Sequence, residues 1–308
     1  MNLTNSFKKL HKNTQEKIIG SLMIAPAVIL LFIFVFVPLI IAVYRSFFET
    51  TLGETSFVFL KYYKSTFQNK TFLKSIGNVL LFAVSITGIQ IVISFLFANV
   101  LVRIKGRYGV FARTVIYLPY LLSGIVVSVI FSLLTQYNGG ILNSVIESLG
   151  GDPVAWGMHN FWSPMIIIIP SIWIGFGYTS LVLYAGLINI PKDYYEAAQM
   201  DGAGFWRQTF SISIPCMKNY FILLVVTSIV GNLQMYEVPM VMTNGGPLYK
   251  TMTPVLYIMH SRSNGNISDS EITAMAILVM IIILLINSCV FYLFRDKEEQ
   301  GRWKQKKF

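Results

Sequence analysis

Charged residues are scarce in this chain, and no polar segment is long enough to form a soluble domain. Only 12% of the 308 residues are charged, whereas 55% are hydrophobic and 14% are aromatic. One soluble core cannot bury this much apolar surface, so part of that surface must face lipid. The polar segments reach only roughly 30 residues, too few for an independently folded domain. If the chain takes part in ATP-driven transport, another polypeptide must therefore bind the ATP.

Cysteine and histidine are rare, which limits the chemistry that the chain offers. The two cysteines, Cys216 and Cys289, lie at the start of one long apolar run and inside another, so we expect no structural disulfide. The three histidines, His11, His159 and His260, have no second ligand at a metal-binding spacing. No paired acids and no Ser–His–Asp pattern stand out. We therefore expect no catalytic site, metal site or cofactor in this chain.

Six apolar runs are each long enough for the roughly 20 residues with which a helix crosses a bilayer. They cover residues 20–44, 76–102, 110–134, 163–189, 220–243 and 272–294. The chain shows no internal repeat and no low-complexity tract. We predict an all-α integral membrane protein of about six transmembrane helices, with a transmembrane domain over residues 20–294.

Lysine and arginine are concentrated in one set of the segments outside these runs. Seventeen of the 24 lie in the N-terminal tail (1–19), in the loop after the second run together with Arg113 at the start of the third, in the loop between the fourth and fifth runs, and in the C-terminal tail (295–308). The other loops hold seven. Because positive charge marks cytoplasmic segments, we predict that both tails are cytoplasmic. The net charge of +10 then follows from topology and does not indicate nucleic-acid binding.

The loop of residues 190–216, between the fourth and fifth runs, carries the most informative motif. Its residues are Glu196-Ala197-Ala198, then Asp201-Gly202, then Ile212-Ser213-Ile214-Pro215. The pattern predicts two short helices joined at glycines, with Gly202 supplying the positive φ that ends the first helix. Trp206 and Phe210 predict an apolar stripe on the second. Small alanines beside an acid favour close approach of a partner groove, although a helix lying on lipid headgroups is an alternative.

This motif closely resembles the coupling loop of the permease subunits of bacterial ATP-binding-cassette importers, of the carbohydrate-uptake type that includes the maltose and glycerol-3-phosphate systems. The resemblance implies the type I importer permease fold and a loop that docks on an ATPase. The ATPase-coupling residues would be Glu196, Ala197, Ala198, Asp201, Gly202, Ile212 and Pro215.

The same resemblance implies partners and a location. They would be a second, similar permease chain, two ATPase subunits that bind ATP and Mg, and an extracytoplasmic sugar-binding protein. The location would be the bacterial cytoplasmic (plasma) membrane.

The fifth apolar run ends in polar residues that are costly in lipid and should face a cavity or another helix. They are Asn232, Gln234, Tyr236 and Glu237. Amides, an aromatic ring and a carboxylate suit a hydroxylated sugar, so we predict a substrate path here; hydrogen bonding to a neighbouring helix is the alternative for each residue. Glu237 followed by Thr243-Asn244-Gly245-Gly246-Pro247 resembles an element of sugar permeases, in which aspartate is the commoner acid. Further candidates for path or packing are Asn78, Gln90, Asn99, Tyr178 and Asn287.

Two other functions stay open from sequence. An ion-coupled secondary carrier for a small polar solute would normally need more spans or an internal repeat, and it gives the Glu196 motif no purpose. A membrane enzyme would need paired acids or a metal-ligand cluster at one membrane face. The sequence thus favours an importer permease that translocates a carbohydrate, without identifying the sugar.

Overall fold

Helices dominate the described part of the chain, as the all-α prediction requires. The structure is a computed structural model that describes residues 12–51, 54–265 and 267–294. The C-terminal tail, the first 11 residues of the N-terminal tail and therefore His11 lie outside these ranges. The described residues divide into two units: one contains residues up to 66 together with 267–277, and the other contains 67–265 and 278–294.

The first unit begins with a long apolar helix. Its elements are α1 (Lys12–Leu31), a π-helical segment (Phe32–Phe36), α2 (Val37–Ser46), β1 (Phe48–Thr51) and β2 (Glu54–Phe57). The π-helical segment precedes Pro38, whose missing N–H interrupts the regular hydrogen-bond pattern. The strands pair antiparallel, with Phe48 opposite Phe57, and form a small hairpin that sequence patterning did not predict. The next helix, α3, covers Lys61–Gln68.

The second unit contains the remaining helices. They are α4 (Lys70–Arg103), α5 (Gly106–Leu121), α6 (Gly124–Leu134), α7 (Ile141–Ser148), α8 (Trp162–Ile188), α9 (Lys192–Met200), α10 (Phe205–Gln208), a π-helical segment (Thr209–Ser213), α11 (Ile214–Cys216), α12 (Lys218–Leu233), α13 (Glu237–Met242) and α14 (Pro254–Asn264). The last helix, α15 (Asp269–Phe294), is divided between the two units.

The described helices account for the six predicted spans as four unbroken ones and two bent pairs. Glu16–Ser46, Lys70–Arg103, Trp162–Ile188 and Asp269–Tyr292 are long and apolar enough to cross a membrane by themselves. The pair of α5 and α6 bends by 95°, and the pair formed by residues 205–216 and α12 bends by 70°. Counting each bent pair as one span gives six.

Two breaks in the helices, one between α5 and α6 and one between α12 and α13, correct the predicted boundaries. The run of residues 110–134 is not one helix, because α5 ends at Leu121 and Ser123 caps a new helix, its Oγ accepting from Val126 N at 3.3 Å. The run of residues 220–243 is also interrupted, since α12 ends at Leu233. Pro239 lies in the first turn of the separate helix α13, where proline is tolerated.

The core of the second unit lies where α4 packs along α8. One cluster joins Phe82 and Ile86 of α4 to Ile167 and Ile168 of α8 and to Val238 of α13. Another cluster lies nearer the C-terminal ends of α4 and α8. It contains Phe95, Ala98, Leu183, Leu187, Ile190, Met217 and Leu224.

Close backbone approach adds to this core. A Cβ at Gly177 in α8 would overlap the carbonyl of Ile116 in α5. The two helices can therefore touch only because residue 177 has no side chain.

Candidate functional site

The first half of the 190–216 loop is the helix α9, closed by a glycine turn. Gly202 has φ +74°, as predicted. The N–H of Ala203 donates to the carbonyl of Ala198 at 2.8 Å, and the N–H of Gly202 donates to the carbonyl of Gln199 at 3.0 Å. These two bonds form a Schellman motif, which satisfies the last carbonyls of the helix. Pro191 lies just before the first helical residue.

The motif residues present an acidic and otherwise small surface. Glu196, Ala197, Asp201 and Gly202 are exposed, and Ala198 is half-buried. On the opposite side the Tyr195 hydroxyl lies 2.9 Å from Ser213 Oγ. Gln208 Nε2 also donates to the carbonyl of Ala203 at 2.7 Å. These bonds tie α9 to the second half of the loop, so the exposed face is held in one position.

The second half of the loop runs without a break from α10 through the π-helical segment to α11. Pro215, which is exposed, lacks the N–H that would continue the regular pattern. The rings of Trp206 and Phe210 stack with centroids 6.2 Å apart and are exposed. Ile212 is half-buried and packs against the cluster around Leu187. The 70° bend follows at residue 217, two residues after Pro215.

The predicted path residues lie in and around the interruption between α12 and α13. Asn232 is half-buried, and its Nδ2 donates to Thr87 Oγ1 of α4 at 3.1 Å. Gln234 is exposed, and Tyr236 is half-buried immediately before α13. Leu233, between Asn232 and Gln234 in sequence, is buried in a cluster with Val79 and Ala83. The four path residues thus flank one break in the helix and do not form a continuous helical face.

Glu237 makes a contact that sequence reasoning missed. A Cβ at Gly124, the first residue of α6, would overlap the Glu237 carboxylate. The carboxylate of α13 therefore lies directly against the backbone at the bend between α5 and α6. Pro119 and the capping residue Ser123 were the sequence signals for that bend.

The Gly-Gly-Pro element forms a hydrogen-bonded turn after α13. Thr251 Oγ1 lies 2.6 Å from Thr243 Oγ1 and donates to the carbonyl of Gly246 at 2.6 Å. His260 Nε2 lies 2.8 Å from Asn244 Oδ1. His260 is thus a half-buried partner of the turn.

The further polar candidates mostly bond to protein. Gln90 Nε2 donates to Thr179 Oγ1 at 2.6 Å, and Asn78 Nδ2 donates to the carbonyl of Met252 at 2.9 Å. Asn99 Nδ2 donates to the carbonyl of Phe95 in its own helix, and Tyr178 stacks on Tyr120. Asn287 lines a cavity of about 380 Å³ with Val226, Ser288, Phe291 and Tyr292. The Gln90 bond joins α4 to α8, and the Asn78 bond holds the segment between α13 and α14 against α4.

Within residues 12–51, 54–265 and 267–294, no three His, Cys, Asp or Glu side chains are placed so that they could hold a metal ion. His159 Nδ1 instead accepts from the N–H of Phe161 at 3.2 Å.

Comparison with known proteins agrees with the loop motif and with the fold. The family described as "Binding-protein-dependent transport system inner membrane component" matches residues 90–297. The osmoprotective compounds uptake permease protein GgtC of Synechocystis sp. is 30% identical over 271 residues, covering 86% of this chain and 95% of that protein. The trehalose/maltose transport system permease protein MalF of Thermococcus litoralis is 28% identical over 297 residues, covering 95% and 96%.

A solved structure shows the same fold. The crystal structure of a bacterial alginate ABC transporter, in complex with an alginate pentasaccharide-bound periplasmic protein, contains a chain that matches with a TM-score of 0.79 at 23% identity. The match covers 93% of this chain and 97% of that one. The predicted type I permease fold is therefore confirmed, and this membrane chain belongs to the family of binding-protein-dependent transport system inner membrane components.

Proposed function

We propose that this chain is a permease subunit of an ATP-driven importer and that the imported solute is a carbohydrate. Family membership supports the importer role. The trehalose/maltose permease relative, which aligns over 95% of this chain, supports a carbohydrate. Amide, hydroxyl and carboxylate groups at the end of α12 are suited to sugar hydroxyls.

The α9 face is the proposed docking site for an ATPase subunit. The observation that carries this proposal is the exposed Glu196, Ala197 and Gly202 on a helix whose far side is bonded to the rest of the loop. Alanine and glycine allow close approach of a partner, and the Glu196 carboxylate offers a charge for a basic residue of the ATPase. Asp201 ends the helix, while Ile212 and Pro215 shape the connection to α12.

The proposed topology places both termini and the 190–216 loop in the cytoplasm, following the distribution of lysine and arginine. The complex would contain this chain, a second permease, two ATPase subunits that bind ATP and Mg, and an extracytoplasmic sugar-binding protein. Closure of the ATPases would move α9 and switch the permease pair between inward-facing and outward-facing states. The chain itself would supply no catalytic group and no cofactor.

The proposed substrate path uses the interruption after α12. Gln234 is exposed and Tyr236 is half-buried, and neither side chain bonds within the described ranges 12–51, 54–265 and 267–294. They are therefore available to a solute. Asn232 keeps its carbonyl oxygen available because only its Nδ2 donates to Thr87. Glu237 borders the same interruption.

Gentle solubilisation of the tagged chain from its native membranes, with mass spectrometry of what co-purifies, tests this function. We expect a second permease and an ATPase in stoichiometric amounts. Glu196→Lys should lose the ATPase and keep the permease partner. Glu147→Lys, at another exposed helical carboxylate outside the loop, is the matched control and should lose neither. A wild-type chain that purifies alone and transports a solute with an ion gradient would establish a carrier instead.

A further inference from the structure

A polar cavity lies behind α9, on the side away from the proposed ATPase surface. Its volume is about 320 Å³, within the range of small-molecule sites. Its walls come from the C-terminal end of α4, the end of α8, the loop helices α9 and α10, and the π-helical segment that follows α10. Each of these elements except α8 contributes polar wall groups: Asn99, Arg103, Tyr195, Gln199, Gln208, Thr209 and Ser213.

The charge of this cavity is entirely positive. Arg103 is the one charged residue of its lining, and the guanidinium lies over the Phe205 ring, 5.1 Å from the centroid. No carboxylate within residues 12–51, 54–265 and 267–294 forms an ion pair with Arg103. The acids of α9 are exposed on another face of that helix, because Tyr195 and Gln199, four residues apart, occupy the cavity face.

One amide donor beside Arg103 has no protein partner, because the Gln199 side chain makes no hydrogen bond inside the described ranges. Asn99 Nδ2 and Gln208 Nε2 each donate to one backbone carbonyl, so each keeps a second N–H for a ligand. A planar guanidinium with amides and hydroxyls beside it matches the geometry of a phosphate group, which accepts several charge-assisted hydrogen bonds.

We propose that this cavity binds a phosphate-bearing anion and that its natural occupant is the headgroup of an anionic phospholipid. The position favours lipid over free phosphate. The candidate spans of α4 and α8 end at Arg103 and Ile188, so the cavity lies where two spans reach the membrane surface. Basic pockets between membrane helices at that level are typical sites for anionic headgroups.

The bound headgroup has a mechanical consequence. Arg103 belongs to the long helix of the core, whereas Gln199 and Gln208 belong to the loop. A phosphate bonded to both sides links the loop to the core. The inference goes beyond the proposed function, and binding is measurable without transport, so failure of one is distinguishable from failure of the other.

Lipid binding to the purified complex tests this inference. Native mass spectrometry would measure occupancy by dioleoyl phosphatidylglycerol and dioleoyl phosphatidylcholine in separate titrations, with inorganic phosphate as a competitor. Arg103→Gln should weaken phosphatidylglycerol binding by about tenfold or more, because hydrogen bonds to charged groups are lost. Arg103→Lys should bind phosphatidylglycerol with an affinity between those of the wild type and Arg103→Gln, because lysine keeps the positive charge but lacks the paired N–H donors of a guanidinium. Lys105→Gln, an exposed cation two residues away that does not line the cavity, is the control and should change binding by less than about twofold.

Each result decides for or against the site. Selective loss in Arg103→Gln, in a variant that still co-purifies with its partners, supports it. If Arg103→Gln and Lys105→Gln lost phosphatidylglycerol binding equally, the lipid would be held by diffuse surface charge, and the proposed site would be overturned. Phosphatidylcholine bound as tightly as phosphatidylglycerol would also overturn it. Competition by inorganic phosphate at concentrations equal to the lipid would overturn the assignment to a lipid headgroup.

Discussion

The carboxylate of Glu237 lies against the backbone of Gly124, which joins the first residue of α13 to the first residue of α6. A Cβ at residue 124 would overlap the carboxylate and come within 3.3 Å of the Glu237 Cβ. The contact therefore lies between two helix starts. One is at the 95° bend between α5 and α6, and the other is at the break between α12 and α13. Neither helix can shift along the other without changing it.

Gly124→Ala should destabilise the protein because the added methyl must displace Glu237. The atom that must move is the far end of a flexible side chain, so the cost should lie near the lower end of the about 1–3 kcal/mol typical of overpacking. Glu237→Ala removes the obstructing group, so the double variant should recover most of the stability lost in Gly124→Ala. The wild type, the two single variants and the double variant form a double-mutant cycle. Each would be fused to a fluorescent protein, and its thermal midpoint measured by size-exclusion chromatography after heating; the non-additivity of the four midpoints reports the interaction between the two residues.

Gly231→Ala is the matched control for that cycle. Gly231 lies in the last turn of α12, and a Cβ there meets nothing within 4 Å. Alanine also favours the helix over glycine, so stability should hold or rise. Additive losses for Gly124→Ala and Glu237→Ala would show that the two residues do not interact.

Glu237→Ala by itself should reduce uptake more than assembly. The carboxylate borders the proposed substrate path, whereas the buried neighbours of α13, such as Val238, hold the helix in the core. The measurement is uptake of the carbohydrate proposed as the solute, divided by the amount of assembled complex. Unchanged uptake per complex would leave Glu237 as a packing residue only.

Much of this fold follows from the sequence because its main signal is hydropathy. Six runs of sufficient length are visible without tertiary information, and the structure has a helix or bent pair at each. The bends within the spans were harder to predict from the sequence. The residues on both sides of Ser123 are apolar enough to read as one continuous run, so only local cap and proline signals mark the break there. The hairpin of residues 48–57 is short and mostly exposed, so it has no strong alternation to detect.

The candidate sites divide in the same way. The turn at Gly202 was predictable because positive φ is a local property of glycine. The partners of Asn232 and Gln90 lie 145 and 89 residues away in sequence, so patterning could give their burial but not their hydrogen bonds. Arg103 looked like one of several topogenic cations. Its cavity exists only because the loop helices fold back over the end of α4.

Gly202→Leu should uncouple the transporter while leaving membrane insertion intact. A side chain at residue 202 meets no atom within 4 Å, so the cost comes from the left-handed backbone, about 1–2 kcal/mol, and from bulk on the docking face. ATP hydrolysis stimulated by the loaded binding protein, together with uptake, is the readout. Gly202→Asn, which tolerates this backbone, should retain more coupling.

Gly204→Leu separates backbone conformation from bulk. Gly204 has φ −71° and open space around it, so leucine adds bulk two residues away without left-handed strain. We expect it to be milder than Gly202→Leu. Normal stimulated ATP hydrolysis and uptake in Gly202→Leu, at wild-type abundance, would rule out residue 202 as part of the proposed ATPase docking site.

The bond between Asn232 and Thr87 allows a test of whether Asn232 serves the solute or only the packing. Thr87→Val removes the acceptor and should cost about 1 kcal/mol of stability, as for other interhelical bonds in membranes. Its apparent KM for uptake should change by less than about twofold. Asn232→Leu should lose similar stability and also raise KM severalfold, because the carbonyl oxygen is removed too. Equal KM values in the two variants would assign Asn232 to packing.

The hairpin of the first unit carries an exposed ion pair whose contribution should vanish in acid. Lys61 Nζ lies 2.7 Å from Glu49 Oε2. The Lys61 ammonium lowers the pKa of Glu49, and the Glu49 carboxylate raises the pKa of Lys61. The Glu49 contribution is present above the unfolded pKa of about 4.3 and is lost as pH falls through the lower folded value. The Lys61 contribution is present below about pH 10.4 and is lost as pH rises through the higher folded value.

Thermal midpoints of the wild type and Lys61→Met, compared between pH 7 and pH 3.5 at low salt, test this linkage. The difference should be constant between about pH 6 and 9 and should shrink toward zero at acid pH, because the protonated Glu49 no longer attracts the ammonium. Salt should reduce it, since the pair is exposed. Lys64→Met is the control on the same helix, where Lys64 is exposed and forms no ion pair with a described residue. A Lys61→Met difference that persists unchanged at pH 3.5 would show that Lys61 stabilises the hairpin through its aliphatic chain and not through Glu49.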